Sequence, residues 1–223
     1  MVFVPGFTQR AGSWSRVIER LPADVEAVAL DVPDDLDFVS TAHALGEEGG
    51  RAAYVGYSMG GRLCLQLALD RPELVAELVL VSASPGIADP TERSARRSSD
   101  EQLALDIERD GVDAFLERWL AQPLFASLPS DAAGVDDRRD NTVARLAHQL
   151  RGLGQGAQAS LWPRLHELHL RAQLVVGGLD TKYTRLAVQM ASEMQQARVS
   201  TVAGVGHAVH LERPDAVAHL LTS

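Results

Sequence analysis

The sequence predicts an α/β chain: a mostly parallel sheet of about six strands, helices on both faces, and a helical cap inserted after the fourth strand. Two observations carry that expectation. Short apolar runs alternate with runs of helical period along most of the 223 residues, and repeated β–α units of this kind build a parallel sheet. The alternation then stops between Pro85 and about Gly156, a stretch rich in charge and without a convincing strand.

Taken in order, the strand-like runs fall at 1–4, 25–30, 52–57, 78–82, 172–177 and 198–202. Helical patterns fall at 14–21, 38–47, 59–70, 182–193 and 214–221, and inside the insertion near 92–108, 112–120 and 142–150. The expected division is therefore a core of residues 1–84 and 157–223 with a lid of residues 85–156. No internal repeat and no low-complexity linker interrupts it.

Composition narrows the function. With 46% hydrophobic residues and no long unbroken apolar run, the chain is expected to be soluble and to span no membrane. Met1 opens directly into a strand, with no secretory n-region or h-region. The one cysteine, Cys64, allows no internal disulfide and suits a reducing cytoplasm; its place in an apolar helix marks it as a buried structural thiol. A net charge of −9 argues against nucleic acid as a partner, and an aromatic content of 5% is too low for a base-stacking platform.

The chemistry centres on Gly56-Tyr57-Ser58-Met59-Gly60, which lies between the strand run 52–57 and the helical run that follows. A strand–turn–helix of the form G-x-S-x-G is a nucleophile elbow. The turn forces its serine toward strained backbone angles, and glycines two positions to either side remove the Cβ atoms that would clash. An acid and a histidine should follow in chain order. Asp180 lies just beyond the strand run 172–177, and His207 sits in a glycine-rich loop after the run 198–202. All three residues then gather at the carboxyl edge of one sheet, where catalytic loops collect. His207 would take the Ser58 proton, and Asp180 would fix the imidazole tautomer. The first strand runs into Pro5-Gly6-Phe7, so the backbone amides of Phe7 and Met59 are the expected oxyanion donors.

Arg62 stands apart from the other basic residues. It lies one helical turn after Ser58 on the same face, in an otherwise apolar helix where a cation needs an anion. That anion is either a substrate carboxylate or a structural acid. The insertion carries nine more arginines, most of them expected on solvated helix surface, and Lys182 is the only lysine. Gly152, Gly154 and Gly156 follow no strand, which argues against a phosphate loop. His207 and His210 stand three apart with no third ligand cluster, so no metal and no cofactor is expected. His43, His148, His166, His169 and His219 are ordinary surface or satisfied helix residues.

The extended elbow, Gly56-Tyr57-Ser58-Met59-Gly60-Gly61-Arg62, resembles that of the 2-succinyl-6-hydroxy-2,4-cyclohexadiene-1-carboxylate synthases, menaquinone-pathway members of the α/β-hydrolase superfamily. Similar to them too are Glu92-Arg93 through Asp100, Trp119-Leu120-Ala121-Gln122-Pro123-Leu124-Phe125, and Leu150-Arg151-Gly152-Leu153-Gly154-Gln155-Gly156. Further matches are Gly178-Leu179-Asp180-Thr181-Lys182-Tyr183 and Gly206-His207-Ala208-Val209-His210-Leu211-Glu212. The resemblance covers nearly the whole chain, and it implies the α/β-hydrolase fold with an elimination in place of a hydrolysis. The family's substrate is a cyclohexene bearing several carboxylates, one of them in a pyruvyl enol ether; a ring proton is abstracted, pyruvate leaves and a diene forms. It also implies anion-binding roles for Arg62 and Tyr57, a pocket role for Trp119, a cap arginine at one or both of Arg96 and Arg97, and a weaker match at Arg138. Two departures are visible. Pro5-Gly6 replaces the family's His-Gly, and the antiparallel leading strands of larger hydrolases are missing. Besides the synthase, two alternatives stand: a carboxylesterase or carbon–carbon hydrolase with Ser58 as covalent nucleophile, and a non-enzymatic binding protein on the same scaffold. The complete Ser58, Asp180 and His207 set counts against the last.

Overall fold

In the computed structural model, which describes all residues from Met1 to Ser223, six strands form a single sheet. They are β1 (Val2–Val4), β2 (Val28–Ala29), β3 (Ala52–Tyr57), β4 (Val75–Val81), β5 (Ala172–Gly177) and β6 (Ala197–Val202). The helices are α1 (Ser15–Ile18), α2 (Phe38–Gly49), α3 (Met59–Asp70), α4 (Pro90–Leu120), α5 (Val135–Arg139), α6 (Val143–Leu153), α7 (Thr181–Glu193), α8 (Val209–Glu212) and α9 (Pro214–Leu221). The sheet order is β2-β1-β3-β4-β5-β6, and every neighbouring pair is parallel.

Strands buried on both faces need apolar residues at successive positions, and Val79-Leu80-Val81 and Leu174-Val175-Val176 meet that need. Alternate side chains feed different layers. Val2, Val4, Tyr54, Leu78, Leu80, Leu174 and Val176 pack with α2, α3 and α7. Phe3, Val55, Tyr57, Val79, Val81 and Val175 pack on the other face with α1, α8 and α9.

Two expected elements are shorter than the sequence suggests. The run 25–30 yields only β2, because this edge strand pairs with a β1 that is itself three residues long, through Val2↔Val28 and Phe3↔Ala29. The run 14–21 becomes a 3-10 turn at Ala11–Trp14 followed by α1. Pro22 disfavours helical geometry at Leu21.

Between β4 and β5 the chain has helices and no strand. Asp89 caps α4 by accepting the Glu92 amide at 2.7 Å, and Gly111, at φ +82°, bends it into the two arms that the sequence shows as separate runs. Thr142 caps α6 through the Arg145 amide at 3.1 Å. Ala104, Ile107, Phe115 and Leu116 of α4 close a small core with Leu146, Ala147 and Leu150 of α6, and Phe7 from the loop after β1 packs against it.

The strand order reverses at β1, since the chain steps outward to β2 and then returns across β1 to β3. Loops leaving the carboxyl ends of the two strands at such a reversal diverge and open a crevice. The loops at this crevice carry Phe7 and Ser58.

His210 of α8 is fully buried between the rings of Trp14 and Tyr57, at centroid distances of 4.6 and 4.2 Å. Burial, with Arg138 and His207 adding to it, holds its imidazole pKa well below the ordinary value. The unfolded chain therefore takes up this proton at higher pH than the folded one, so stability falls as pH drops below about 6.5. Denaturation at pH 7 and pH 5 is expected to show a smaller loss in His210→Phe than in the wild type; equal losses would contradict this account.

Candidate active site

Ser58 stands between β3 and α3 at φ +49° and ψ −105°, a conformation that is strained for any residue with a side chain. The flanking glycines are required by close backbone approach. A Cβ on Gly60 would lie 2.5 Å from the Pro5 carbonyl oxygen, and one on Gly56 would lie 2.6 Å from the Gly61 Cα.

His207 reaches Ser58 from the loop after β6. Its Nε2 is 3.3 Å from Ser58 Oγ, and its Nδ1 is 2.7 Å from Asp180 Oδ2. The supporting loops are themselves tied down. Asp180 caps α7, with Oδ1 accepting the Tyr183 amide at 3.1 Å. The Glu212 carboxylate accepts the Gly206 amide at 3.0 and 3.1 Å. With Nδ1–H donating to Asp180, Nε2 is left as the acceptor that a serine hydroxyl needs. The two expected oxyanion donors are also free to act. The Phe7 amide donates to no other group of the chain, and Met59, as the first residue of α3, has no acceptor within its helix.

A cavity of about 240 Å³ opens over Ser58 and His207. Phe7, Leu103, Trp119, Leu124 and Phe125 give it an apolar wall, with Tyr57 and Tyr183 near the serine; Arg62, Arg96 and Lys182 supply positive charge. Arg62 is 5% exposed. It donates to Gln158 Oε1 at 2.8 Å and to the Leu153 carbonyl at 2.7 Å, and it forms no ion pair with any acid of the chain. Burial draws its pKa down to about 10, which leaves it charged at neutral pH. Arg96 is held by Asp100, Nε to Oδ1 at 2.7 Å, and the buried Asp100 also accepts the Gly156 amide at 3.2 Å. No three His, Cys, Asp or Glu side chains converge as a metal site.

Two expected binding residues lie elsewhere. Arg97 is exposed on the outside of α4 and does not line the cavity. Adjacent helical residues point about 100° apart, so with Arg96 facing inward Arg97 faces out. Arg138 is buried behind the loop after β1, bonded to the Ala133 carbonyl at 2.8 Å and to Thr8 Oγ1, and is likewise absent from the cavity wall. Most other arginines of the insertion sit on its surface in pairs: Arg109 and Arg118 with Asp110, Arg139 with Asp113 and Asp136, and Arg151 with Glu101 and Glu108.

A family model described as the alpha/beta hydrolase family matches residues 1–220. The chain belongs to the alpha/beta hydrolase family. A relative from Bacillus subtilis (strain 168), provisionally named a 2-succinyl-6-hydroxy-2,4-cyclohexadiene-1-carboxylate synthase, is 33% identical over 96% of this chain and 85% of its own. The synthase of that name from Enterobacter sp. (strain 638) is 29% identical over 99% of this chain and 89% of its own. Among solved structures, MenH from S. aureus superposes with a TM-score of 0.93 at 26% identity, covering 99% of this chain and 91% of that one. A thermophilic esterase from Thermogutta terrifontis, at 18% identity and a TM-score of 0.80, covers 99% of this chain and 87% of its own and shares the fold.

Within this α/β-hydrolase the cavity is also lined by Gln122, Gln149, Gln155 and Lys182, to which the sequence assigns no binding role. Gln155 donates to the Tyr183 hydroxyl at 3.1 Å. Asp100 and Gln158 act from behind, each holding one arginine. For Asp100 the signal was present in the sequence, because Arg96 and Asp100 have the i,i+4 spacing of a helical ion pair. For Gln158 there was none, since its contact with Arg62 spans 96 residues.

Proposed function

We propose that this chain is a 2-succinyl-6-hydroxy-2,4-cyclohexadiene-1-carboxylate synthase, a carbon–oxygen lyase of menaquinone biosynthesis acting in the cytoplasm. Its reaction eliminates pyruvate from a cyclohexene that carries several carboxylates. The observation that supports this most is Arg62, a buried cation without an acid of its own, facing the cavity one helical turn from Ser58. A buried charge of this kind is costly until an anion arrives, and the similar synthases name a carboxylate among the groups of their product.

In this mechanism His207 Nε2 accepts the Ser58 proton, and Ser58 Oγ removes a proton from the acidic ring carbon. The electrons of that C–H bond form the new double bond while the carbon–oxygen bond to the pyruvyl group breaks. The proton held by the Ser58–His207 pair passes to the departing fragment, which leaves as pyruvate. The amides of Phe7 and Met59 stabilise the negative charge that develops on the substrate. Arg62, Arg96 and Tyr57 orient the carboxylates, Trp119 forms the facing wall, and residues 85–156 act as the lid.

The apolar wall favours a second reading, a carboxylesterase or carbon–carbon hydrolase in which Ser58 is a covalent nucleophile. Intact-mass measurement during turnover of the pyruvyl-bearing substrate separates the two. Pyruvate accumulating while Ser58 stays unmodified is the expected result; a Ser58 adduct that forms and decays at the rate of turnover would overturn the lyase reading.

A further inference from the structure

The loop that carries Phe7 is gripped by side chains of the helical insertion. Thr8 is fully buried at φ +68°, a left-handed conformation in which a β-branched residue rarely rests unaided. Arg138 Nη1 donates to Thr8 Oγ1, and Asn141 Nδ2 donates to the Thr8 carbonyl at 2.9 Å. The grip is rigid in turn, because Arg138 Nε donates to the Ala133 carbonyl at 2.8 Å and Asn141 Nδ2 also reaches the Arg138 carbonyl at 2.9 Å. From the core side, Gln9 Oε1 accepts the Gly6 amide and faces His210 Nε2, both at 3.2 Å. Gly6, Thr8 and Gln9 are thus all anchored, while the Phe7 amide between them has no acceptor in the chain.

The choice of arginine is informative. Arg138 is 2% exposed and forms no ion pair. A hydrogen bond to Thr8 alone could come from a neutral donor without the burden of a buried charge. A cation behind the loop adds a field of the sign that favours negative charge forming at its front.

We infer that Arg138 and Asn141 are positioning residues, which act through Thr8 to hold the Phe7 amide where negative charge develops on the substrate. The inference rests on reading Phe7 as an oxyanion donor beside Ser58. It gives the insertion a second task besides covering the cavity: its seating on Thr8 sets the geometry of the reacting centre.

The test compares Arg138→Gln, Asn141→Ala, Thr8→Val and Thr8→Ser in the full chain. Each is assayed on whichever of the pyruvyl-bearing substrate and a short nitrophenyl ester the wild type turns over through Ser58. Arg138→Gln, Asn141→Ala and Thr8→Val are each expected to lower kcat about 10- to 100-fold, with KM within about threefold. Thr8→Ser keeps the hydroxyl and is expected to stay near wild type. Thr8→Val preserves shape and β-branching, so it carries the test even where Arg138→Gln does not fold. Combining Arg138→Gln with Thr8→Val should do no more harm than Arg138→Gln alone, which already removes both the bond to Thr8 and the charge. Wild-type kcat in folded Thr8→Val and Asn141→Ala overturns the inference, as does a loss confined to KM. If turnover of both substrates survives Ser58→Ala, the reading of the site itself fails, and that outcome is distinct from either of these.

Discussion

Ser58→Ala is expected to lower pyruvate release by about three to four orders of magnitude while leaving the fold intact. The serine hydroxyl is the group that would touch the acidic carbon, and no other side chain shares its contact with His207 Nε2 at 3.3 Å. His207→Ala should be equally damaging, because an unassisted serine hydroxyl is a poor base. Residues that act as one unit give non-additive losses, so the double variant should lose no more than either single one. Asp180→Asn keeps a cap for α7 but favours the wrong imidazole tautomer, and should cost about 100-fold or more. Steady-state kinetics of the four variants beside their melting curves checks this. Additive losses in the double variant would mean that Ser58 and His207 do not work as one proton-transferring unit.

Arg62→Ala should raise KM for the polycarboxylate substrate by about 10- to 100-fold, the size expected when a charge-assisted hydrogen bond of about 1.5–3 kcal/mol is removed. Turnover of a neutral nitrophenyl ester should change little, and that contrast separates loss of anion binding from general damage. Some structural cost is expected as well, since Gln158 Oε1 and the Leu153 carbonyl lose their donor. Arg62→Lys keeps the charge but replaces a rigid planar fork, which spans Gln158 and the Leu153 carbonyl, with a compact point charge; it should recover only part of the loss. Equal effects on the anionic and neutral substrates would show that Arg62 supports the fold and does not read the ligand.

How far the sequence reveals this site depends on how local each determinant is. β3, α3, β5 and α9 lie at the predicted boundaries because apolar runs, Gly and Pro mark them within a few residues. The elbow was legible for the same reason, and so was the grouping of Ser58, Asp180 and His207, since parallel topology sends the loops after β3, β5 and β6 to one edge. Which of Arg96 and Arg97 lines the cavity, and that Arg138 does not, depends on helix rotation and on contacts between distant segments. The Arg138–Thr8 bond spans 130 residues, beyond the reach of any periodicity. The i,i+4 spacing of Arg96 to Asp100 is a local cue in the chain that favours Arg96 over Arg97. The role of Gln158 beneath Arg62 could be found only by folding.

One preparation offered two substrates, with Ser58→Ala alongside, distinguishes a synthase from a hydrolase. The first is the pyruvyl-bearing cyclohexene, with pyruvate read through a coupling dehydrogenase; the second is a short nitrophenyl ester. Ser58-dependent pyruvate release with feeble ester cleavage is the predicted result. Brisk esterolysis without pyruvate release would contradict the account, and would make Ser58 the nucleophile of a hydrolase.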